Sequence, residues 1–367
     1  MTSSRVALHA GQLLQPVPGG IGRYVRSLLR VLPPAGVDVL AFGAGARPAG
    51  IPGPTEWVDL GAPRGSLRYE CWHRLRWPRL SLDTDVVHAT SLAVPPVRDS
   101  ALAVTVHDVA FLRVPHVTTA RGVSFHRRGL ELTRRHADVV IAVSAFTRDE
   151  LVREGFDAES IVVALHGIDP PAVRADDEID AMVASAGVTP PYVLTIGTVE
   201  PRKDLPTMVD AVERVRARGT PDLDLVIVGA PGWGRVEGID RPFVRRLGDT
   251  PWPSVDALIR RAAAFCITSR YEGFGLPALE AIARGAPLAA ASGSSVEEVV
   301  GDAARLFPPG DVDACADALT ELLGDTELRA ELAIRGRGRA AELTWEHSAT
   351  AHAEAYARAA SRRAERG

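Results

Sequence analysis

The sequence predicts an α/β protein made of two doubly wound parallel-sheet domains. Three observations carry this. Short apolar runs alternate with segments of helical period along the whole chain, the signature of repeated βαβ units. The chain has 367 residues, more than a single domain of about 100–200 residues accounts for. A proline break, Asp169-Pro170-Pro171, followed by the acidic stretch Asp176–Asp180, reads as a linker dividing the series into two halves of similar length.

In the first half, short apolar runs predict strands at Arg5–Ala10, Val37–Phe42, Asp85–Ala89, Ala103–Asp108 and Asp138–Val143. Helices are expected between them at Ile21–Leu32, Thr118–Arg135 and Ala145–Glu154. Ser144 suits the N-cap of the last, with Thr147 and Glu150 behind it. In the second half, strands are expected at Tyr192–Gly197, Leu223–Gly229, Ala263–Thr268, Pro287–Ala291 and Ala304–Phe307. The helices there are Leu205–Arg218, Pro277–Arg284, Val296–Val300, Val312–Leu323 and Glu327–Ala341. An Ala-rich helix, Trp345–Arg363, ends the chain. The domains are therefore drawn at 1–170 and 171–345, with a C-terminal helix at 346–367 that has the option of crossing back to the first domain. Ligands of such sheets sit at the carboxyl ends of strands, where strand order reverses. With two facing domains, the inter-domain cleft is the expected site.

Composition narrows the function classes. Apolar residues make up 46% and charged residues 24%, as in ordinary soluble globular chains, so disordered and fibrous classes are excluded. No run approaches the ~18 apolar residues of a membrane-spanning helix. Met1–Arg5 leads straight into apolar Val6–Leu8, so a signal peptide is not expected. Cys71, Cys266 and Cys315 are odd in number and far apart, which supports neither a disulfide framework nor a zinc site. A cytoplasmic location and no metal are the expectations. The pI near 6.2 speaks against nucleic acid. Residues 1–170 hold 19 arginines against 16 carboxylates, while the remainder holds 23 basic against 30 acidic residues, so the first half suits an anionic partner better. Of 42 basic residues only Lys203 is a lysine, which points to a place where a compact ammonium serves and a guanidinium does not.

Four constellations carry chemistry. The strongest is Ser269-Arg-Tyr-Glu-Gly-Phe-Gly-Leu-Pro-Ala-Leu-Glu280, a strand end, a glycine loop and a helix start with Pro277 well placed for its first turn. The amides of Phe274, Gly275 and Leu276 would project from that helix start, as a phosphate or polar sugar face requires. Glu272 and Glu280 flank it, and a carboxylate accepts two hydroxyls at once, which suits a vicinal diol. The second is Gly197-Thr-Val-Glu-Pro-Arg-Lys-Asp204, where Arg202 and Lys203 follow a strand and suit a pyrophosphate. The third, Pro18-Gly19-Gly20-Ile-Gly22-Arg23-Tyr24, is not a dinucleotide fingerprint, since Val25 stands where the last glycine belongs, but its glycines let a ligand approach backbone. The fourth is His107-Asp108 at a strand end. His88, His126 and His166 read as satisfied core or rim residues.

Taken together, these residues resemble retaining glycosyltransferase family four. Glu272-Gly-Phe-Gly-Leu-Pro through Glu280 looks like its E-x7-E signature, Gly197–Asp204 its phosphate-binding GT-x-EPRK turn, Gly19–Tyr24 its N-terminal glycine loop, and Thr105–Asp108 its histidine-bearing strand end. Ala142–Thr147, His166–Asp169 and Thr344–Glu346 are also similar, in the family's order. The resemblance implies a GT-B fold of two facing Rossmann-like domains, with the donor held mainly by the second. It implies a nucleotide-sugar donor, retention at the anomeric carbon and no essential metal or further cofactor.

Carried over by position, Glu280 would hold the ribose and Glu272 the donor sugar, together with Ser269, Gly273, Phe274, Gly275 and Leu276. Arg202 and Lys203, with Gly197 and Gly229, would take the diphosphate. Gly19 and Gly20 would pack against it, and His107 would touch the sugar. GDP-mannose is the first choice of donor, and a glycan or lipid-linked molecule the expected acceptor. The stretch Val236–Val255 departs from the pattern by lacking a recognisable strand and loop, and His166 stands where asparagine is usual. A basic-aromatic cluster (Trp72, Arg74, Arg76, Trp77, Arg79) and a cationic helix face (Arg127, Arg128, Arg134, Arg135) fit peripheral contact with an anionic membrane, and equally an ordinary solvated surface. A nucleotide-sugar 2-epimerase or a non-catalytic sensor of the same architecture are the competing readings.

Overall fold

The computed structural model describes residues 4–52 and 55–366. Met1–Ser3, on which the signal-peptide expectation partly rests, lie outside the described residues. The chain divides into two compact units: Met1–Leu112 with Arg121–Gly167 and Thr344–Gly367, and Arg113–Ala120 with Ile168–Leu343. The divisions stand at 167/168 and 343/344, where the sequence placed 170/171 and 345/346. The short segment 113–120 clusters with the second unit, where the Trp233 indole donates to the Val117 carbonyl at 3.0 Å.

Among the described residues the first unit holds a seven-stranded parallel sheet: β1 (Arg5–His9), β2 (Asp38–Gly43), β3 (Glu56–Asp59), β4 (Val86–Ala89), β5 (Ala101–Val106), β6 (Val139–Ala142) and β7 (Ile161–Val163). Their order is β3-β2-β1-β4-β5-β6-β7, so the direction of winding reverses between β1 and β4. The central strands are buried on both faces, which is why they read as unbroken apolar runs. Helix Gly19–Val31 covers one face with Tyr24, Val25, Leu28, Leu29 and Val31, at helical spacing. Trp345, Ala349, Ala355, Tyr356 and Ala359 of the C-terminal helix, Trp345–Arg366, join the same core.

A buried polar chain ties that helix down, and one carbonyl sets its direction. His352 Nδ1 lies 2.7 Å from the Ser348 carbonyl, which only accepts, so Nδ1 carries the proton and Nε2 is bare. Tyr24 Oη therefore donates to His352 Nε2 at 2.7 Å and accepts from Thr105 Oγ1 at 2.8 Å. Thr105 Oγ1 then accepts from His88 Nε2 at 2.7 Å, which leaves His88 Nδ1 to accept from Tyr356 Oη at 2.9 Å. His88 is thus a satisfied core residue, as the sequence indicated.

The second unit's sheet among the described residues is six-stranded and parallel: β8 (Tyr192–Ile196), β9 (Asp224–Val228), β10 (Val244–Gly248), β11 (Ala264–Ile267), β12 (Leu288–Ala291) and β13 (Arg305–Phe307). The order is β10-β9-β8-β11-β12-β13, reversing between β8 and β11.

Several elements differ from expectation. The stretch Val236–Val255 does contain a strand, β10, followed by helix Trp252–Arg261. It escaped notice because β10 pairs only with β9 and its Arg245 and Arg246 are exposed, so it lacks the apolar run of an inner strand. The acidic "linker" 176–180 is the first turn of helix Asp176–Ser185, where Asp176, Asp177 and Glu178 oppose the helix dipole while Ile179 and Val183 are buried. Helix Gly65–Arg74 and the short strands β3 and β7 were also unread. The Gly19-Gly20 segment is not a free loop before a helix but its first turn.

Candidate functional site

The second sheet's switch point places two turns side by side, because β8 and β11 are neighbours. The turn after β8 runs through Gly197 to a single 3-10 turn, Pro201–Lys203, and enters helix Leu205–Ala217 through Asp204 in the left-handed region (φ 49°). The turn after β11 carries Thr268 to Gly275 and opens helix Leu276–Ala283, with Gly275 at φ +91° in the capping position. Backbone and side chain stitch the turns together: Arg270 N donates to the Arg202 carbonyl at 2.9 Å, and Thr268 Oγ1 to the Lys203 carbonyl at 2.8 Å.

Glu272 is the hub. Lys203 Nζ donates to its Oε1 at 2.6 Å and Arg202 Nη1 to its Oε2 at 3.1 Å. Arg202 also donates to the Tyr271 carbonyl at 2.6 Å and is paired to Glu200 at 2.8 Å. The cations are therefore balanced by two buried carboxylates rather than standing alone as a bare basic turn. Burial by itself would raise the Glu272 carboxyl. Lys203 and Arg202, with hydrogen bonds from Lys203 and Ser269, outweigh it and bring its pKa to about 2. Glu200 is shifted the other way, upward, because burial dominates over the pull of Arg202 and Lys203.

Two glycines make room for this. A Cβ on Gly197 (φ +154°) would sit 3.0 Å from Lys203 Cε, and one on Gly229 (φ +145°) would sit 2.0 Å from the Gly197 carbonyl oxygen. They follow neighbouring strands, β8 and β9, and their bare backbones let Lys203 lie against the carboxyl end of the sheet. Thr195, Gly197, Lys203, Ser269, Glu272 and Pro277 line one tight pocket there.

The structure thus brings Gly197, Arg202, Lys203, Ser269 and Glu272 together, with Gly229 beside Gly197 and the Gly273–Leu276 turn following Glu272. Glu280 is buried one turn into the helix. Arg284 donates to its carbonyl at 3.1 Å and is itself paired to buried Asp256 at 2.6 Å. Gly19, Gly20 and His107 belong to the first unit. Gly19 and Gly20 are exposed, and His107 follows β5. Sequence reasoning passed over Glu200, although it stands inside the quoted turn. It also passed over Ser295, whose Oγ donates to the Glu272 carbonyl at 2.8 Å from a helix 23 residues further on, with no local pattern to flag it. Asp204 and Arg270, paired at 3.1 Å, were likewise unassigned.

Residues 18–171 match the family described as Glycosyltransferase Family 4, and residues 178–339 match Glycosyl transferases group 1. The chain belongs to glycosyltransferase family four. This family-four glycosyltransferase is 28% identical to an O-antigen chain mannosyltransferase B of Escherichia coli, over 77% of each chain. It is 27% identical to a phosphatidyl-myo-inositol mannosyltransferase of Mycolicibacterium smegmatis, over 90% of this chain and 87% of that one. Among solved structures, Anabaena HepE in complex with UDP-glucose superposes with a TM-score of 0.73 at 19% identity, covering 96% of this chain and 98% of that one. WaaG, a glycosyltransferase involved in lipopolysaccharide biosynthesis, superposes with a TM-score of 0.70 at 16% identity, covering 95% and 98%. At these identities the likeness is one of fold: the two Rossmann-like domains are those of the GT-B class.

Proposed function

We propose that this glycosyltransferase is a retaining, metal-independent hexosyltransferase that moves mannose from a nucleotide-sugar, GDP-mannose first, to a glycan or lipid-linked acceptor. The observation that carries the proposal is the junction of Lys203, Arg202 and Glu272 beneath an amide-bearing helix start. Breaking a sugar–phosphate bond builds negative charge on the diphosphate and positive charge on the ring. Lys203, Arg202 and the start of helix Leu276–Ala283 stabilise the first, so charge neutralisation falls to the protein rather than to a metal. Glu272 and the turn Ser269–Leu276 hold the sugar and Glu280 the ribose. Gly19 and Gly20 lie against the phosphate, and His107 touches the sugar. The acceptor oxygen bonds to the anomeric carbon on the face the diphosphate leaves, the carbon–oxygen bond to phosphate breaks, and the acceptor's proton passes to a phosphate oxygen. That the Escherichia coli and Mycolicibacterium smegmatis relatives are mannosyltransferases supports mannose.

A panel of GDP-, UDP- and dTDP-sugars in a thermal-shift screen tests this. The true donor stabilises the protein by about 2.7 kcal/mol at a hundredfold excess over its Kd. GDP-mannose giving the largest shift, and a product whose anomeric configuration matches the donor, are the expected results. An inverted product removes the retaining mechanism.

One surface supports peripheral contact with an anionic membrane. Leu75 and Trp77 are 69% and 59% exposed beside exposed Arg74 and Arg79. Arg127, Arg134 and Arg135 are exposed on helix Ala120–His136. Two members of the expected cluster serve the fold instead: Trp72 is fully buried, and Arg76 donates to the carbonyls of Trp72, Val94 and Pro95. No helix among the described residues is long and apolar enough to cross a membrane. Flotation with anionic liposomes that is lost at high salt, and weakened in Trp77→Ala, is the outcome this reading requires.

A further inference from the structure

Three segments meet at the carboxyl end of the first sheet, near its switch point: His9 ends β1, Thr90 follows β4 and His107 follows β5. Thr90 is 1% exposed and ties the other two. Its hydroxyl donates to the His9 carbonyl at 2.7 Å. Its own carbonyl lies 2.9 Å from His107 Nε2. A carbonyl oxygen only accepts, so Nε2 carries a proton. The neighbouring Asp108 does not take the usual place of an imidazole's orienting carboxylate, because its Oδ1 accepts from Ala110 N at 2.9 Å at the start of the next helical turn. Tyr24 stands edge-on to the His107 ring at 5.0 Å and His166 lies 5.6 Å away, which fixes the ring plane. Burial lowers the affinity of His107 for a second proton, against the opposing pull of the Thr90 carbonyl and Asp108. A neutral ring with its proton on Nε2 leaves Nδ1 as a lone pair.

We propose that Thr90 is a positioning residue that locks His107 as the Nε2–H tautomer, so that His107 meets the sugar as a hydrogen-bond acceptor at Nδ1 and not as an acid. This rests on the reading above that His107 touches the sugar. It adds which atom does so and what the contact selects: a sugar hydroxyl that donates, in a fixed direction. A hydroxyl missing at that position, or replaced by a group that only accepts, leaves the Nδ1 lone pair unmatched.

The test has a spectroscopic and a kinetic arm, both on the full chain. Histidine-labelled protein at pH 7, with His107 identified by its disappearance in His107→Gln, is expected to show the Nε2–H pattern in two-bond proton–nitrogen correlation. Thr90→Val keeps the shape and the carbonyl but frees the segment from His9. It is expected to give a mixture of tautomers and to raise the KM for GDP-mannose about fivefold, with kcat within about twofold, the effect of one weakened neutral hydrogen bond. His107→Asn sets an amide oxygen near the place of Nδ1 and is expected to retain more activity than His107→Gln, which sets its amide near Nε2, by about tenfold. An Nδ1–H or doubly protonated His107 at pH 7 overturns the proposal, and so does His107→Gln outperforming His107→Asn. Wild-type turnover in His107→Ala beside an Nε2–H spectrum would instead end the reading that His107 touches the sugar. The two failures are therefore told apart.

Discussion

At the scale of single residues, the site is a set of constraints on what may stand at each position. Lys203 fits between Gly197 and Glu272 because an ammonium is compact. A guanidinium is planar and wider, so Lys203→Arg is expected to lose at least about tenfold in kcat although charge is kept. Lys203→Ala is expected to lose about 10²–10³. Steady-state kinetics on variants of unchanged circular dichroism checks both. Glu272, with a pKa of about 2 against an ordinary 4.5, stays ionised through the range in which an ordinary carboxylate titrates. Any acid limb of kcat/KM above about pH 4 must then belong to another group, and its midpoint should be unmoved in the residual activity of Glu272→Gln. Lys203, Arg202, Ser269 and Glu272 were legible in the sequence because they cluster in two short runs beside strand ends. Glu200 stood in the same run as Arg202, but nothing in the run shows that it is buried and paired with Arg202. Thr268 and Ser295 were not legible, since their roles come from turns packed together by the sheet, which no local pattern records.

At the scale of elements, the fold works by close backbone approach and by directed hydrogen bonds. Gly229 is the plainest case of the first. An alanine there would be strained at φ +145° and would press its Cβ to 2.0 Å from the Gly197 oxygen. Gly229→Ala is expected to cost at least about 1–3 kcal/mol, seen as a lower melting temperature and weaker donor affinity together. The histidine–tyrosine chain is the case of the second. His352 is pulled down from 6.5 to about 4 by burial. The folded state therefore binds fewer protons than the unfolded one, and stability is complete above pH 6.5 and falls as pH drops from there toward 4. The loss approaches ~3 kcal/mol for this group alone, and urea titrations between pH 7 and pH 4 measure it. Tyr24→Phe, which strands Thr105 and His352, is expected to cost about 1–3 kcal/mol at neutral pH. Inner strands such as β5 and β6 were readable because burial on both faces makes them continuously apolar. The edge strands β3 and β10 were not, because one side faces solvent or a single partner and their composition is polar.

At the scale of the whole molecule, two units with separate cores share one chain, and the last helix returns to the first unit. Removing residues 345–367 takes Trp345, Tyr356 and three alanines out of the first unit's core. That truncation is expected to abolish the first unit's calorimetric transition while the second unit still binds donor. A loss confined to the second unit would contradict the assignment. The two-unit organisation was visible in the repeated alternation of elements. The allegiance of 113–120 was not, since it depends on a long-range bond from Trp233. The central claim is that Lys203, Arg202 and Glu272 form the seat of a nucleotide-sugar. Calorimetric titration of GDP-mannose into the wild type, Lys203→Ala and Glu272→Gln, with GDP alone in parallel, tests it most directly. The account predicts that Lys203→Ala weakens both ligands and that Glu272→Gln weakens GDP-mannose far more than GDP. Unchanged affinity of both variants, for both ligands, would contradict it.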